Sequence, residues 1–225
     1  MSNHIRSLEE FVYIHQMVIN TKKTHMVLFN PMKSIDVSPL GFKINGEEIG
    51  SVEEFKLLGL MLSSNMSWNA HIDYIIKRAN SRIWTINRMK NRGVSNEILI
   101  RMYRLRVRSL LEYLAPVFTG ALSQNHKVRI ERVQKKYFRC IFGKDIFKNK
   151  SYSEVCKLLC METLEQRRIM LCITFVKRSL KQHPDLFPTA HHSKETRFSH
   201  LNLVSKLSKT LSSQTLQFTS EKEIP

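Results

Sequence analysis

From residue 72 onward, apolar side chains recur at steps of three and four. Ile72, Ile75, Ile76, Ala79, Ile83 and Ile86 fall within one arc at about 100° per residue, and Lys77, Arg78, Arg82, Arg88 and Arg92 fall on the far side. Such a pattern buries one face as a helix and leaves a cationic face in solvent. The spacing predicts a helix over about 67–92, opened by Ser67 and stopped by Gly93. A second is expected to start at Ser95 and end before Pro116, with Arg101, Arg104 and Arg108 on one narrow face. A third runs from about Ser123 to Gly143 and carries Arg129, Arg132, Lys136 and Arg139 in the same way. "SEVCKLLC" and "TLEQRRIMLCITFVKRSLK" follow, the last with Thr163 and Gln166 at capping-box spacing and a stop at Pro184.

Before residue 62 the pattern is mixed. "SLEEFVYIHQM" predicts a short helix capped by Ser7, and "HMVLF" a strand stopped by Pro31. "FKINGEEI" places Asn45-Gly46 between alternating residues, the signal of a two-residue type I′ hairpin. "VEEFKLLGLML" reads as a further, buried strand, followed by a turn on Ser63, Ser64 and Asn65. The expected fold is mainly α, with a small α+β piece at the N-terminus. The expected divisions are 1–66, a basic helical region 67–143, a further helical region 144–200, and a poorly ordered Ser/Thr/Lys-rich tail 201–225.

Charge sharpens this division. The chain of 225 residues carries 36 Lys+Arg and 19 Asp+Glu, net +17. Residues 1–60 hold 6 basic and 7 acidic side chains, residues 61–148 hold 18 and 5, and residues 149–225 hold 12 and 7. The excess therefore lies where the helices begin. Three consecutive cationic faces with few compensating acids point to a polyanion, with nucleic acid ahead of an anionic membrane. The alternative for each helix alone is a solvated face. No run of about 18 apolar residues exists, and "MSNHIRSLEE" has no apolar signal region, so an intracellular protein of nucleus or cytoplasm is expected, neither secreted nor membrane-spanning. Cys140, Cys156, Cys160 and Cys172 sit in helix-patterned apolar surroundings and are expected as reduced core thiols.

Several segments in order resemble the C-terminal part of reverse transcriptases from non-LTR (LINE-like) retrotransposons. "QMVINTKKTHMVLFN" looks like the segment after the catalytic aspartates, with an Asn-x-x-Lys-Thr core at Asn20, Lys23 and Thr24. "VEEFKLLGLMLSSNMSWNAHI" is similar to the primer-grip strand pair running into the thumb. "VRSLLEYLAPVF", "RIERVQKKYFRCIFG" and "METLEQRRIMLCITFVKRSLK" resemble thumb and post-thumb helices, so the resemblance spans about residues 8–200. It implies a palm-end remnant followed by a thumb-like bundle that holds an RNA/DNA hybrid or duplex by its phosphates. It implies that Phe55, Leu58 and Gly59 belong to the primer grip, and that Lys23 corresponds to the lysine that assists pyrophosphate departure.

The resemblance also implies Mg²⁺ held by an aspartate pair in the full-length enzyme. Here the aspartates are Asp36, Asp73, Asp145 and Asp185, none adjacent to another, and the family's pair would fall before Met1. The residues present are thus expected to bind nucleic acid without polymerising and to hold no metal or other cofactor. A stand-alone helical nucleic-acid-binding protein is the alternative. A lesser one follows from His71 and Asp73, the His-x-Asp half of a 2-oxoglutarate oxygenase iron triad, in a region also similar to a stretch beside AlkB-type dioxygenases. Its distal ligand would come from His126, His183, His191, His192 or His200, but the helical pattern after His71 does not suit that enzyme's β-scaffold. Cys156 and Cys160 with His191-His192 have looser spacing than zinc motifs use. Trp68 and Trp84 are expected as helix-packing anchors, with base stacking as the lesser reading.

Overall fold

The computed structural model describes residues 2–30 and 43–183, and the chain divides into two compact units at residues 74 and 75. The expected tail and the end of the 144–200 region lie outside the described residues, as do Asp36, Asp185, His191, His192 and His200. Among the described residues the protein is mainly helical, with a small strand region in the first unit.

The first unit opens with α1 (Ser2–Ile14). Ser7 lies inside this helix and does not cap it, because Ile5, Leu8 and Val12 extend the three- and four-residue spacing upstream of it. The helix ends as Gln16 turns left-handed (φ 54°). Met17 N–H donates to Val12 O at 2.9 Å and Gln16 N–H to Tyr13 O at 3.1 Å. "HMVLF" does not form a strand. Only Met26 joins the fold as sheet does, by a parallel bridge to Ser51, with Met26 N–H on Gly50 O and Val52 N–H on Met26 O. β-Propensity alone does not give a ladder without a partner for each residue.

Two short hairpins follow. β1 (Lys43–Ile44) pairs with β2 (Glu47–Glu48) around Asn45 (φ 51°) and Gly46 (φ 81°), the two positive φ angles of a type I′ turn. The Asn45 amide donates to Glu9 Oε1 at 2.8 Å, which ties this hairpin to α1. "VEEFKLLGLML" is two strands, not one: β3 (Glu54–Leu57) pairs antiparallel with β4 (Leu60–Ser63), and Leu58-Gly59 is the turn. Nor is it buried throughout, since within it only Leu60 is. Met66 N–H then closes a turn on Ser63 O at 2.8 Å, Asn65 Oδ1 accepts from Ser67 N, and Ser67 Oγ from Asn69 N. These bonds carry the chain from strand into α2 (Asn69–Asn91).

In the second unit the rest of α2 buries Ile75, Ala79, Ile83 and Ile86, and ends in a Schellman motif at Gly93 (φ 81°), with Val94 N–H on Met89 O and Gly93 N–H on Lys90 O. The second expected helix is broken into pieces. α3 (Asn96–Met102) leads into a π-helical turn at Tyr103–Arg108, then α4 (Ser109–Glu112). It stops at Leu114 (φ 54°), and Pro116 lies in the first turn of α5 (Ala115–Phe118), where its missing N–H costs nothing. α6 (Gln124–Phe142) is capped reciprocally by Ser123 and His126 and closed by Gly143 (φ 94°). α7 (Tyr152–Leu158) and α8 (Leu164–Gln182) open on the capping boxes Ser151–Glu154 and Thr163–Gln166.

Tyr103 and Tyr137 stack in the core at 4.1 Å between centroids, and the Tyr103 hydroxyl donates to Gln134 Oε1 at 2.6 Å. The amide of Gln134 donates in turn to Glu162 O at 3.0 Å. Glu131 on α6 accepts from the Tyr152 hydroxyl at 2.5 Å and from the first two amides of α8, Leu164 at 3.3 Å and Glu165 at 2.6 Å. It also faces the buried Arg168 guanidinium at 3.7 Å. One carboxylate thus satisfies a helix N-terminus and balances a buried cation. The four cysteines are free, but only Cys156 is buried. Cys140 and Cys172 are half-buried, and Cys160, left-handed at φ 50° just after α7, is exposed. A thiol in a chain reversal has no helix face to follow into the core.

Candidate nucleic-acid interface

The cations singled out by periodicity fall into two groups. Lys77, Arg78 and Arg88 on α2, Arg92 just after it, Arg101 on α3, Arg104 in the π-helical turn, and Arg132, Lys136 and Arg139 on α6 are exposed. Arg82, Arg108 and Arg129 are half-buried. Arg82 donates through Nη1 to the carbonyl of Arg106, inside the π-helical turn, where the wider i to i+5 winding loosens the ordinary bonding of carbonyls. The Ser109 hydroxyl donates to the neighbouring carbonyl of Leu105 at 2.6 Å. Arg108 is drawn to Glu112 at 3.7 Å, and burial beside Arg167 lowers its pKa. For Arg108 the π-helical turn gives the reason: it shifts the helical phase after Tyr103, so Arg108 leaves the face that Arg101 and Arg104 occupy. Arg167, with Nη2 3.1 Å from Glu112 and Nη1 2.7 Å from Glu162, holds its proton more tightly, chiefly through the Glu112 bond.

Some of the exposed cations already make contacts within the chain. Lys136 Nζ donates to Asn80 Oδ1 at 3.0 Å, and Arg139 lies 5.0 Å from the Phe147 ring centroid. Lys77, Arg78 and Arg88 on α2, and Arg92 just after it, lie in a stretch with no acid, since α2 has no carboxylate after Asp73. Trp84 stands among them. It is 60% exposed, so it is not the packing anchor expected, and the Arg88 guanidinium lies 4.7 Å from its ring centroid. The wheel already held the signal: Trp84 lies about 130° from the centre of the apolar arc at 100° per residue. Trp68, half-buried and edge-on to His71 at 5.8 Å, does pack.

The primer-grip-like residues lie on the β3–β4 hairpin. Phe55 is half-buried, 6.3 Å from Phe29. Leu58 and Gly59 form the tip, with φ 48° and 93°, and Leu58 is 80% exposed. A branched residue held left-handed at an exposed tip costs about 1–2 kcal/mol, where Asn or Gly would turn at lower cost. Lys23 is exposed on a single 3₁₀ turn, Thr21–Lys23. Asn20 Oδ1 accepts from the Lys23 amide at 3.2 Å, and the Thr24 hydroxyl donates to Asn20 O at 2.9 Å. The Asn-x-x-Lys-Thr spacing is therefore a self-closed turn that presents a lysine.

His71 and Asp73 do not form half of an iron site. His71 is buried, its Nδ1 accepts the Met61 amide at 3.3 Å, and desolvation lowers its pKa. Asp73 is exposed two residues on, about 200° round the helix. Among the described residues no group of three or more His, Cys, Asp or Glu side chains is placed to hold a metal ion, and no helix is long and apolar enough to cross a membrane. Comparison with protein-family models, with curated proteins and with solved structures gives no match.

Proposed function

We propose that the chain is the C-terminal, nucleic-acid-holding part of a reverse-transcriptase-like protein of LINE type. Its helices bind the phosphates of a duplex or hybrid without reading sequence, and the β3–β4 hairpin stands in the place of a primer grip. The observation that carries this is the acid-free run of exposed cations along α2 and at its end, Lys77, Arg78, Arg88 and Arg92. Phosphates are held by such point charges, and base edges need not be touched. The hairpin tip supports the same reading: an exposed, strained Leu58 is costly unless something sits on it. Lys23, on its closed turn, is assigned a contact role, because the four aspartates of the sequence include no adjacent pair such as the resemblance calls for.

Anisotropy of labelled duplexes across a salt series tests this. Binding is expected to weaken with salt at a slope of about −0.9 per phosphate neutralised, and equally for unrelated sequences. Replacing Lys77, Arg88 and Arg92 together by Gln flattens the slope by about 2–3 units. These side chains are exposed, so helicity stays as in the parent. Absent or salt-independent binding overturns the proposal.

A further inference from the structure

Trp84 is the residue that a purely electrostatic surface leaves unexplained. On α2 it lies opposite Ile75, Ala79, Ile83 and Ile86, all buried, and it keeps 60% of its surface in solvent. Lys77, Ser81, Trp84 and Arg88 fall within about 60° of one another at 100° per residue, so they form a single ridge, and Arg92 follows directly after the end of the helix. Lys77 lies about 10 Å before Trp84 along the axis and Arg92 about 12 Å after it. Arg88 leans on the ring itself, 4.7 Å from its centroid.

We infer that this ridge is a stacking platform for an unpaired base, with Trp84 under the base and Lys77 and Arg92 on the phosphates to either side. The inference rests on the phosphate-binding reading above and narrows it to a single strand or a strand end. In a duplex each base already has both faces stacked, whereas an unpaired base offers a free face that an exposed indole can cover. A protein partner fits less well, because the core of such an interface is depleted in charge, and here cations surround the aromatic group on a ridge without acids.

The test uses the full chain with Trp68→Phe, which leaves Trp84 as its one tryptophan. A short oligothymidylate and an abasic strand of equal phosphate count are titrated at low salt. The thymidylate is expected to quench the Trp84 fluorescence and to bind about tenfold more tightly than the abasic strand. Trp84→Ala should remove that tenfold difference and leave abasic binding unchanged, while Trp84→Phe should keep most of it. Equal binding of both strands by the parent, or quenching as strong by polyglutamate as by thymidylate, overturns the stacking platform and leaves phosphate binding standing. Failure of both strands and of duplex to bind overturns the phosphate reading and this inference with it.

Discussion

The two units spend their apolar residues in opposite ways. Among the described residues, the first buries four apolar side chains, Ile44, Ile49, Leu60 and Ile72, and exposes eleven large ones, from Leu8 and Phe11 to Leu58 and Met66. The second buries twenty-one and exposes ten. The first is therefore held by turns and individual hydrogen bonds, local as between Asn20 and Lys23 or long-range as between Asn45 and Glu9. Helix faces packed around Tyr103, Tyr137 and Phe138 hold the second. Burial scales with stability, so the second is the robust scaffold and the first the region that opens at least cost. A cationic surface gains from a rigid support, because side chains on a stable helix lose less freedom on binding.

The largest effect expected is at Glu131. Glu131→Ala removes the acceptor for two α8 amides and leaves Arg168, only 1% exposed, without its counter-charge. A loss of about 3–5 kcal/mol is expected, confined to the second unit. Native-state hydrogen exchange read unit by unit checks it. Equal loss of protection in residues 43–64 would erase the contrast.

His71 supplies the next effect, in the first unit. Burial lowers its pKa below the ordinary 6.5, so the unfolded chain binds the proton more readily than the folded one. Stability from this group is therefore present above pH 6.5 and is lost as pH falls below it, by at most about 1.4 kcal/mol per pH unit. His71→Gln keeps an acceptor for the Met61 amide and cannot titrate, so protection of residues 60–72 should lose its pH dependence between pH 7.5 and 5.5. An unchanged pH profile in the variant would assign the effect to another group.

Leu58→Asn is expected to stabilise the first unit by about 1 kcal/mol, because Asn adopts the left-handed turn position at lower cost and an exposed leucine is removed. Chemical denaturation measures it, and nucleic-acid titration sharpens the comparison. If Leu58 is a contact, the more stable variant binds less well.

The smallest effects separate two serines of the second unit. Ser123→Ala should cost about 1 kcal/mol, since its hydroxyl accepts from the His126 amide at 3.2 Å. Ser95 stands at the same cap position of α3 with no side-chain cap bond, and Ser95→Ala should cost no more than a few tenths. Equal thermal shifts for the two would mean that cap geometry does not govern this unit.

Much of this contrast is legible in the residues themselves. The apolar arc of α2, the start of α6 near Ser123, the capping box at Thr163, the stop at Gly93 and the Asn45-Gly46 turn follow from local rules, because helix period, cap chemistry and positive φ involve only neighbours a few positions away. The predominance of helix and the placing of positive charge on helix surfaces follow in the same way. Tertiary structure decided the rest. Whether "HMVLF" pairs depends on a distant strand, and whether Arg82 and Arg108 face solvent depends on a π-helical turn whose carbonyls need donors from elsewhere. Glu131 gathers Tyr152, the α8 amides and Arg168 from three places in the chain, and no local period can announce such a meeting. Sequence period fixes which side of a helix is apolar. Only packing decides which of its charges are left over for a partner, because desolvation and hydrogen bonding are set by neighbours distant in the chain.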